Sequence, residues 1–298
     1  MKQFFQILFI SILVVVLNSC SAPPFTTNIA FDSTDSCKSI IPIFFDKRNT
    51  PFVSIQCNGK SFDSELDLGA EWVPIGLPQN IIDSLNFKSE GLPKLSMNAF
   101  GSFAFNRSYS IDDVVLGNLK LKNVLCYSNS GIPSTLTNKG IIGLQFCEHF
   151  DILIDYQHKK VTFYNKNCPD SLPDLKDWIP FHFTYNKIIT IKGQVPGLTK
   201  SMKIGFDNGA ILNMNGKQYC ILRNRSILSN SDSVHNFSII SESASIESQK
   251  NIISDLRIAY WDLPQPSSVD LLLGGDFFDK YQVFFNFKNN IMYIKRNS

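Results

Sequence analysis

Two short stretches hold the residues best suited to chemistry. ELDLGAEWVPIG, residues 65–76, places Asp67 at the end of an apolar strand and follows it with Leu68, Gly69 and Ala70. MKIGFDNGAILNM, residues 202–214, repeats the arrangement with Asp207, Asn208, Gly209 and Ala210. One Asp-x-Gly-Ala alone reads as an ordinary Asx turn after a strand. Two of them in matching contexts offer a pair of carboxyl groups. Brought within hydrogen-bonding reach, like carboxylates cannot both ionise easily, so their pKa values separate and the pair holds one proton. The ionised member can then draw a proton from a bound water while the protonated member donates to a carbonyl oxygen. Water, not a side chain, would be the nucleophile.

Positioning two such acids requires two similar frameworks, and the chain is written twice. IPIFF (41–45) opens one half and IPFHF (179–183) the other. Each continues into an alternating strand, FVSIQCNG from Phe52 and IITIKGQV from Ile188, with period-two apolar positions. Each then reaches its Asp-x-Gly-Ala. Each ends on a hydrophobic-Gly element with a two-strand finish, which aligns without gaps: Gly143 on Gly274, Phe146 on Phe277, Asp155 on Asn286. Asp155 and Asn286 read as turn or surface residues. Between motifs the pattern is mostly strand. Residues 108–127 predict a hairpin turning at Leu116-Gly117-Asn118, and NIIDSL (80–85) is helical in character. Residues 165–177, polar with two prolines, mark the boundary between halves.

Hydrophobic strand, Asp-x-Gly-Ala, hairpin and hydrophobic-hydrophobic-Gly, duplicated, resemble the pepsin/retropepsin aspartic peptidases, over roughly residues 38–297. The resemblance implies a mainly β, two-lobed fold with a cleft between the lobes, one lobe over residues 38–168 and the other over 177–298. It implies that Asp67 and Asp207 are the catalytic dyad, that Gly69 and Gly209 let the loops turn tightly and come close to it, and that Gly143 and Gly274 let a neighbouring strand thread against each loop. It places a flap near AFGSFAF (99–105), closing over an extended substrate. The family carries Thr or Ser directly after each catalytic Asp, whose hydroxyl ties the two loops together. Leu68 and Asn208 stand in those places here: leucine has no donor, and asparagine offers an amide.

At 298 residues, 44% hydrophobic and 18% charged, the chain is globular, and a net charge of +2 gives no basic surplus for nucleic acid. The 25 phenylalanines are expected mostly in the core. Lys2, the apolar run 4–17 and the sequence Leu17-Asn18-Ser19-Cys20 resemble a lipoprotein signal. That reading makes 1–19 a signal peptide, Cys20 the lipidated residue and 20–37 a tether, and places the chain in the cell envelope, anchored to a membrane through its lipid. A plain secretory signal is the alternative. Six further cysteines (Cys37, Cys57, Cys126, Cys147, Cys168, Cys220) permit three disulfides, with Cys37 and Cys168 able to staple the ends of the first half. Buried free thiols are the competing reading. No spacing suits a metal site, and the proposed chemistry calls for no cofactor.

Two functions follow: an envelope aspartic endopeptidase acting on peptide or protein, monomeric with both lobes in one chain, or a catalytically impaired relative that binds peptides or partner loops in the same cleft.

Overall fold

The computed structural model describes residues 29–31, 37–47, 49–70, 73–85, 87–97, 103–128, 139–168, 172–185, 188–194, 201–210, 213–215, 239–241, 252–253, 258–259 and 269–298. The signal-like segment, Cys20, Cys220 and the flap tip at 99–102 lie outside the described residues.

Among the described residues the fold is mainly β, in sheets of 11, 6 and 8 strands, none closed into a barrel. Strand formation follows the period-two patterning, as in Leu119–Lys122, whose residues alternate buried and exposed. Asn58 and Gly59, both at positive φ, close a two-residue hairpin between Pro51–Cys57 and Lys60–Asp67. Gly117, at φ +60°, turns the predicted hairpin between Val114–Leu116 and Leu119–Lys122. The helical reading of 80–85 matches the helix Gln79–Leu85, which buries Ile82 and Leu85. Residues 30–31, read as tether, instead pair antiparallel with Leu121 and Lys122. The polar run that follows hid so short an edge strand from the sequence.

The 11- and 8-stranded sheets share a five-strand pattern in order and sense. In the first, Pro51–Cys57 pairs antiparallel with Lys60–Asp67, which pairs parallel with Gly140–Gly143. That strand runs antiparallel to Ile75–Leu77, which runs parallel to Val124–Ser128. In the second, Ile189–Gln194, Met202–Phe206, Leu271–Leu273, Asn213–Asn215 and Ile258–Ala259 follow the same antiparallel, parallel, antiparallel, parallel sequence.

The six-stranded sheet takes strands from both halves of the chain. Its centre is Phe150–Asp155 against Tyr281–Asn286, flanked by their hairpin partners Lys160–Asn165 and Ile291–Arg296. Adding 131 (274 − 143) to the bounds of the first hairpin's strands gives those of the second. Asp155 and Asn286 end their strands buried, not at the surface. Their side-chain oxygens accept the N–H groups of His158 and Asn289 respectively, capping equivalent turns. The core is dense in aromatic edges: Phe150 lies 5.3 Å from Phe146 and 5.4 Å from Phe163, and Phe206 lies 5.3 Å from Phe277.

Cys37 and Cys168 form a disulfide, with Cα atoms 5.5 Å apart. Cys57, Cys126 and Cys147 are buried and free. A full set of three disulfides is therefore corrected to one bridge and buried thiols among the described residues. Burial pushes the Cys57 thiol up to about 12 and Cys126 well above its ordinary range, which keeps both protonated and inert.

Gly143 supplies a test of this framework. A Cβ there would collide with the carbonyl oxygen of Val73 and stand 2.5 Å from that of Ala70. Gly143→Ala must shift backbone and not merely a side chain, so it is expected to destabilise by about 1–3 kcal/mol. A urea midpoint unchanged from the parent would contradict that close approach.

Candidate active site

Asp67 is the last residue of the strand Lys60–Asp67, and Asp207 follows the last residue of Met202–Phe206. Both acids meet the same local fate. Asp67 Oδ1 accepts the N–H of Gly69 at 2.8 Å and of Ala70 at 3.1 Å. Asp207 Oδ1 accepts the N–H of Gly209 at 3.0 Å and of Ala210 at 3.1 Å. In each loop the alanine N–H also reaches the aspartate carbonyl, at 3.2 Å. The Asx-turn reading of each motif is thus correct locally. It is also incomplete.

The two carboxyl groups, 140 positions apart in the chain (207 − 67), are hydrogen-bonded to each other. A Cβ on Gly69 would overlap the Asp207 carboxyl, and a Cβ on Gly209 would stand 2.7 Å from Asp67 Cγ. Gly69 and Gly209 are not among the glycines at positive φ. Each is small because the opposite acid occupies the space a side chain would need. Of the two roles expected of them, tight turning and close approach to the acids, close approach is the one this geometry shows.

Burial raises Asp67 well above the usual carboxylate range, and the charges of Asp207 and Glu65 raise it further. Burial also raises Asp207, but its hydrogen bond with Asp67 and the N–H groups of Ala210, Gly209 and Gly69 pull it back. The pair therefore holds one proton between its two carboxyl groups. Each carboxyl group is met by the N–H groups of its own loop, Gly69 and Ala70 for Asp67 and Gly209 and Ala210 for Asp207.

The positions after the acids behave unequally. Leu68 is buried in the apolar core and contributes only its backbone, whose N–H donates to Asn208 Oδ1 at 2.8 Å. Asn208, 1% exposed, also donates from Nδ2 to the carbonyl of Leu66 at 2.8 Å. One amide thus ties the backbone on both sides of Asp67. The hydroxyl of Tyr156 lies against the same amide, accepting from Nδ2 and donating to the Asn208 carbonyl, each at 3.3 Å. The sequence reading missed Tyr156. Its signal was present: the repeat sets Tyr156 on Phe287, so one copy carries a hydroxyl that the other lacks.

Gly143 and Gly274 brace the two loops from behind. Gly143 pairs with Asp67 in register and donates its N–H to Pro74, while Leu144 N–H reaches the Ala70 carbonyl at 3.1 Å. Gly274 precedes the helix Gly275–Lys280, where Gly275 N–H reaches the Ala210 carbonyl at 2.6 Å; Asp207 N–H reaches Leu273 at 2.9 Å. The strands Lys88–Met97 and Phe103–Ile111, on either side of the expected flap tip, pair antiparallel, with Met97 opposite Phe103, and Phe105 is exposed. No group of three or more His, Cys, Asp or Glu side chains that could hold a metal ion occurs among the described residues. No helix there is long and apolar enough to cross a membrane.

No family model matches the chain, and no curated protein matches it in sequence. Similarity to solved structures is one of fold. The chain resembles basic 7S globulin from soybean, at 10% identity and a TM-score of 0.57, over 88% of this chain and 95% of that one. It resembles conglutin gamma, a basic 7S globulin from lupine seeds, at 12% identity and a TM-score of 0.56, over the same shares.

Proposed function

We propose that the chain is an aspartic endopeptidase of the pepsin/retropepsin type, built from two lobes by internal duplication. The observation that carries the reading is the hydrogen-bonded pair Asp67 and Asp207, each held in the same loop by the same N–H groups. The duplication is supported by the five-strand pattern and by the central register. Leu153 opposes Phe284, its own counterpart at an offset of 131 (284 − 153), while Ile152 opposes Phe285 and Ile154 opposes Val283. Such a register is what a local two-fold between the copies produces.

Hydrolysis then runs on groups already in place. A water between the acids gives a proton to Asp207 as its oxygen attacks the scissile carbonyl carbon. Asp67 gives its proton to the carbonyl oxygen, leaving a neutral gem-diol. Asp67 takes a proton back from a diol hydroxyl and Asp207 protonates the amine as the C–N bond breaks. Extended polypeptide is the substrate class, since strands flanking such a site bind backbone.

Asp67→Asn and Asp207→Asn are each expected to abolish cleavage of a quenched-fluorescent peptide between about pH 3 and 7. A statine-type inhibitor should block the parent. Turnover surviving in Asp67→Asn would end the dyad assignment. Saturable peptide binding without cleavage at any pH would favour the impaired, peptide-capturing alternative.

Stability supplies a second readout. Between the ordinary carboxylate range and the raised value of Asp67, the folded chain keeps a proton that the unfolded chain has lost. Stability therefore falls as pH rises through that window. Asp67→Asn removes the titration while its amide can still accept from Gly69 and donate to Asp207. The variant should lack the decline and be the more stable form above the window, as measured by urea unfolding at a series of pH values.

The envelope location rests on the N-terminal sequence, with the exported disulfide as support. Residues 1–19 serve as signal peptide and Cys20 carries the lipid that anchors the chain to a membrane. Cys20→Ala should eliminate labelled fatty-acid incorporation and release the chain from the membrane fraction; continued labelling would exclude this anchor.

A further inference from the structure

We propose that Tyr156 is a positioning residue for the aspartate pair, acting through Asn208 in a one-sided clasp that needs no hydroxyl after Asp67. The inference rests on the peptidase reading for its catalytic consequence, although the clasp itself is a matter of geometry.

Asn208 resembles a peptide unit presented sideways. Its Oδ1 takes the Leu68 N–H and its Nδ2 serves the Leu66 carbonyl, both at 2.8 Å, so the residues either side of Asp67 are fixed by one planar group. The amide cannot be reversed without facing Nδ2 to a donor and Oδ1 to an acceptor. That accounts for the backbone around Asp67. The loop of Asp207 needs an equivalent hold, and Leu68 has no side-chain donor or acceptor to supply one.

Tyr156 supplies it. Its hydroxyl donates to the carbonyl of Asn208, the residue directly after Asp207, and accepts the remaining Nδ2 proton of the same asparagine. A single O–H satisfies both roles, as donor and acceptor. The side chain and main chain of Asn208 are thereby locked to each other, so the carboxyl of Asp207 and the backbone of Asp67 move as one body.

The ring that carries this hydroxyl is held on two sides. Phe45 meets it edge-on at 4.9 Å, and Phe278, from the helix Gly275–Lys280 behind the Asp207 loop, lies at 5.7 Å. Tyr156 itself follows Asp155 at the end of a central strand of the six-stranded sheet. Burial raises the phenol well above its ordinary range, so it remains a donor at every pH where the acids titrate. The sheet and the dyad are linked through one oxygen atom.

The test uses Tyr156→Phe, which keeps the ring and removes that oxygen. It should lower kcat roughly ten- to a hundredfold, as small misplacement of reacting groups does, with KM unchanged within about twofold. It should also displace the pH window over which stability declines, a window assigned to the dyad by its loss in Asp67→Asn. An active parent with Tyr156→Phe matching it in kcat and in that window would overturn the clasp. A parent inactive on every peptide, but with the window displaced in Tyr156→Phe, would retain the clasp and sink the peptidase reading. Should Tyr156→Phe fail to fold, the parent chain still decides the matter. The Tyr156 hydroxyl proton should then give a slowly exchanging NMR resonance, and rapid exchange with water would overturn the clasp.

Discussion

Everything in this fold that is unusual traces to two like charges placed in contact. A pair of carboxylates at hydrogen-bonding distance is unstable unless one proton is kept between them and the remaining negative charge is met by fixed donors. The structure meets that charge with main-chain N–H groups, which cost no side-chain entropy to aim. Gly69 and Ala70 serve Asp67, and Gly209 and Ala210 serve Asp207. Because donors and acids must approach from both loops at once, no Cβ fits between them. The motif Asp-x-Gly-Ala is a short description of that crowding.

Local signals were legible for a physical reason: each depends on a few neighbouring residues. The alternation in 119–122, the turn at Gly117 and the helix at 79–85 are set by period and by turn chemistry, and the sequence reading found them. The hairpins after Gly143 and Gly274 were legible because one pattern appears twice at a constant spacing. Solvent exposure was less so. Asp155 and Asn286 carry turn-forming side chains, which suggested the surface, yet they are buried where two hairpins meet across the six-stranded sheet.

The site was half legible for the same reason. Both acids could be named from their loops, and so could the close approach of Gly69 and Gly209 to the pair, but not that each glycine makes room for the acid of the other loop. Leu68 looked like a lost polar tie. In the fold its side chain belongs to the core, and Asn208 does from one side what two hydroxyls would do reciprocally. Nothing adjacent to either motif announces Tyr156, which arrives through the turn of a hairpin distant in sequence from both.

This division of labour bears on why the two loops differ where they do. A perfectly symmetric pair leaves the shared proton equally at home on either acid, and chemistry that needs one acid and one base must then resolve the choice during reaction. Here the surroundings of the two acids differ. Glu65, two residues before Asp67, adds a negative charge that favours the protonated form of Asp67, while the matching place before Asp207 is Gly205. The clasp through Asn208 adds to the difference: the residue after Asp207 fixes the backbone on both sides of Asp67, and Leu68 returns no such side-chain contact. The two loops supply equivalent acids, and the residues that differ around them make their surroundings unequal.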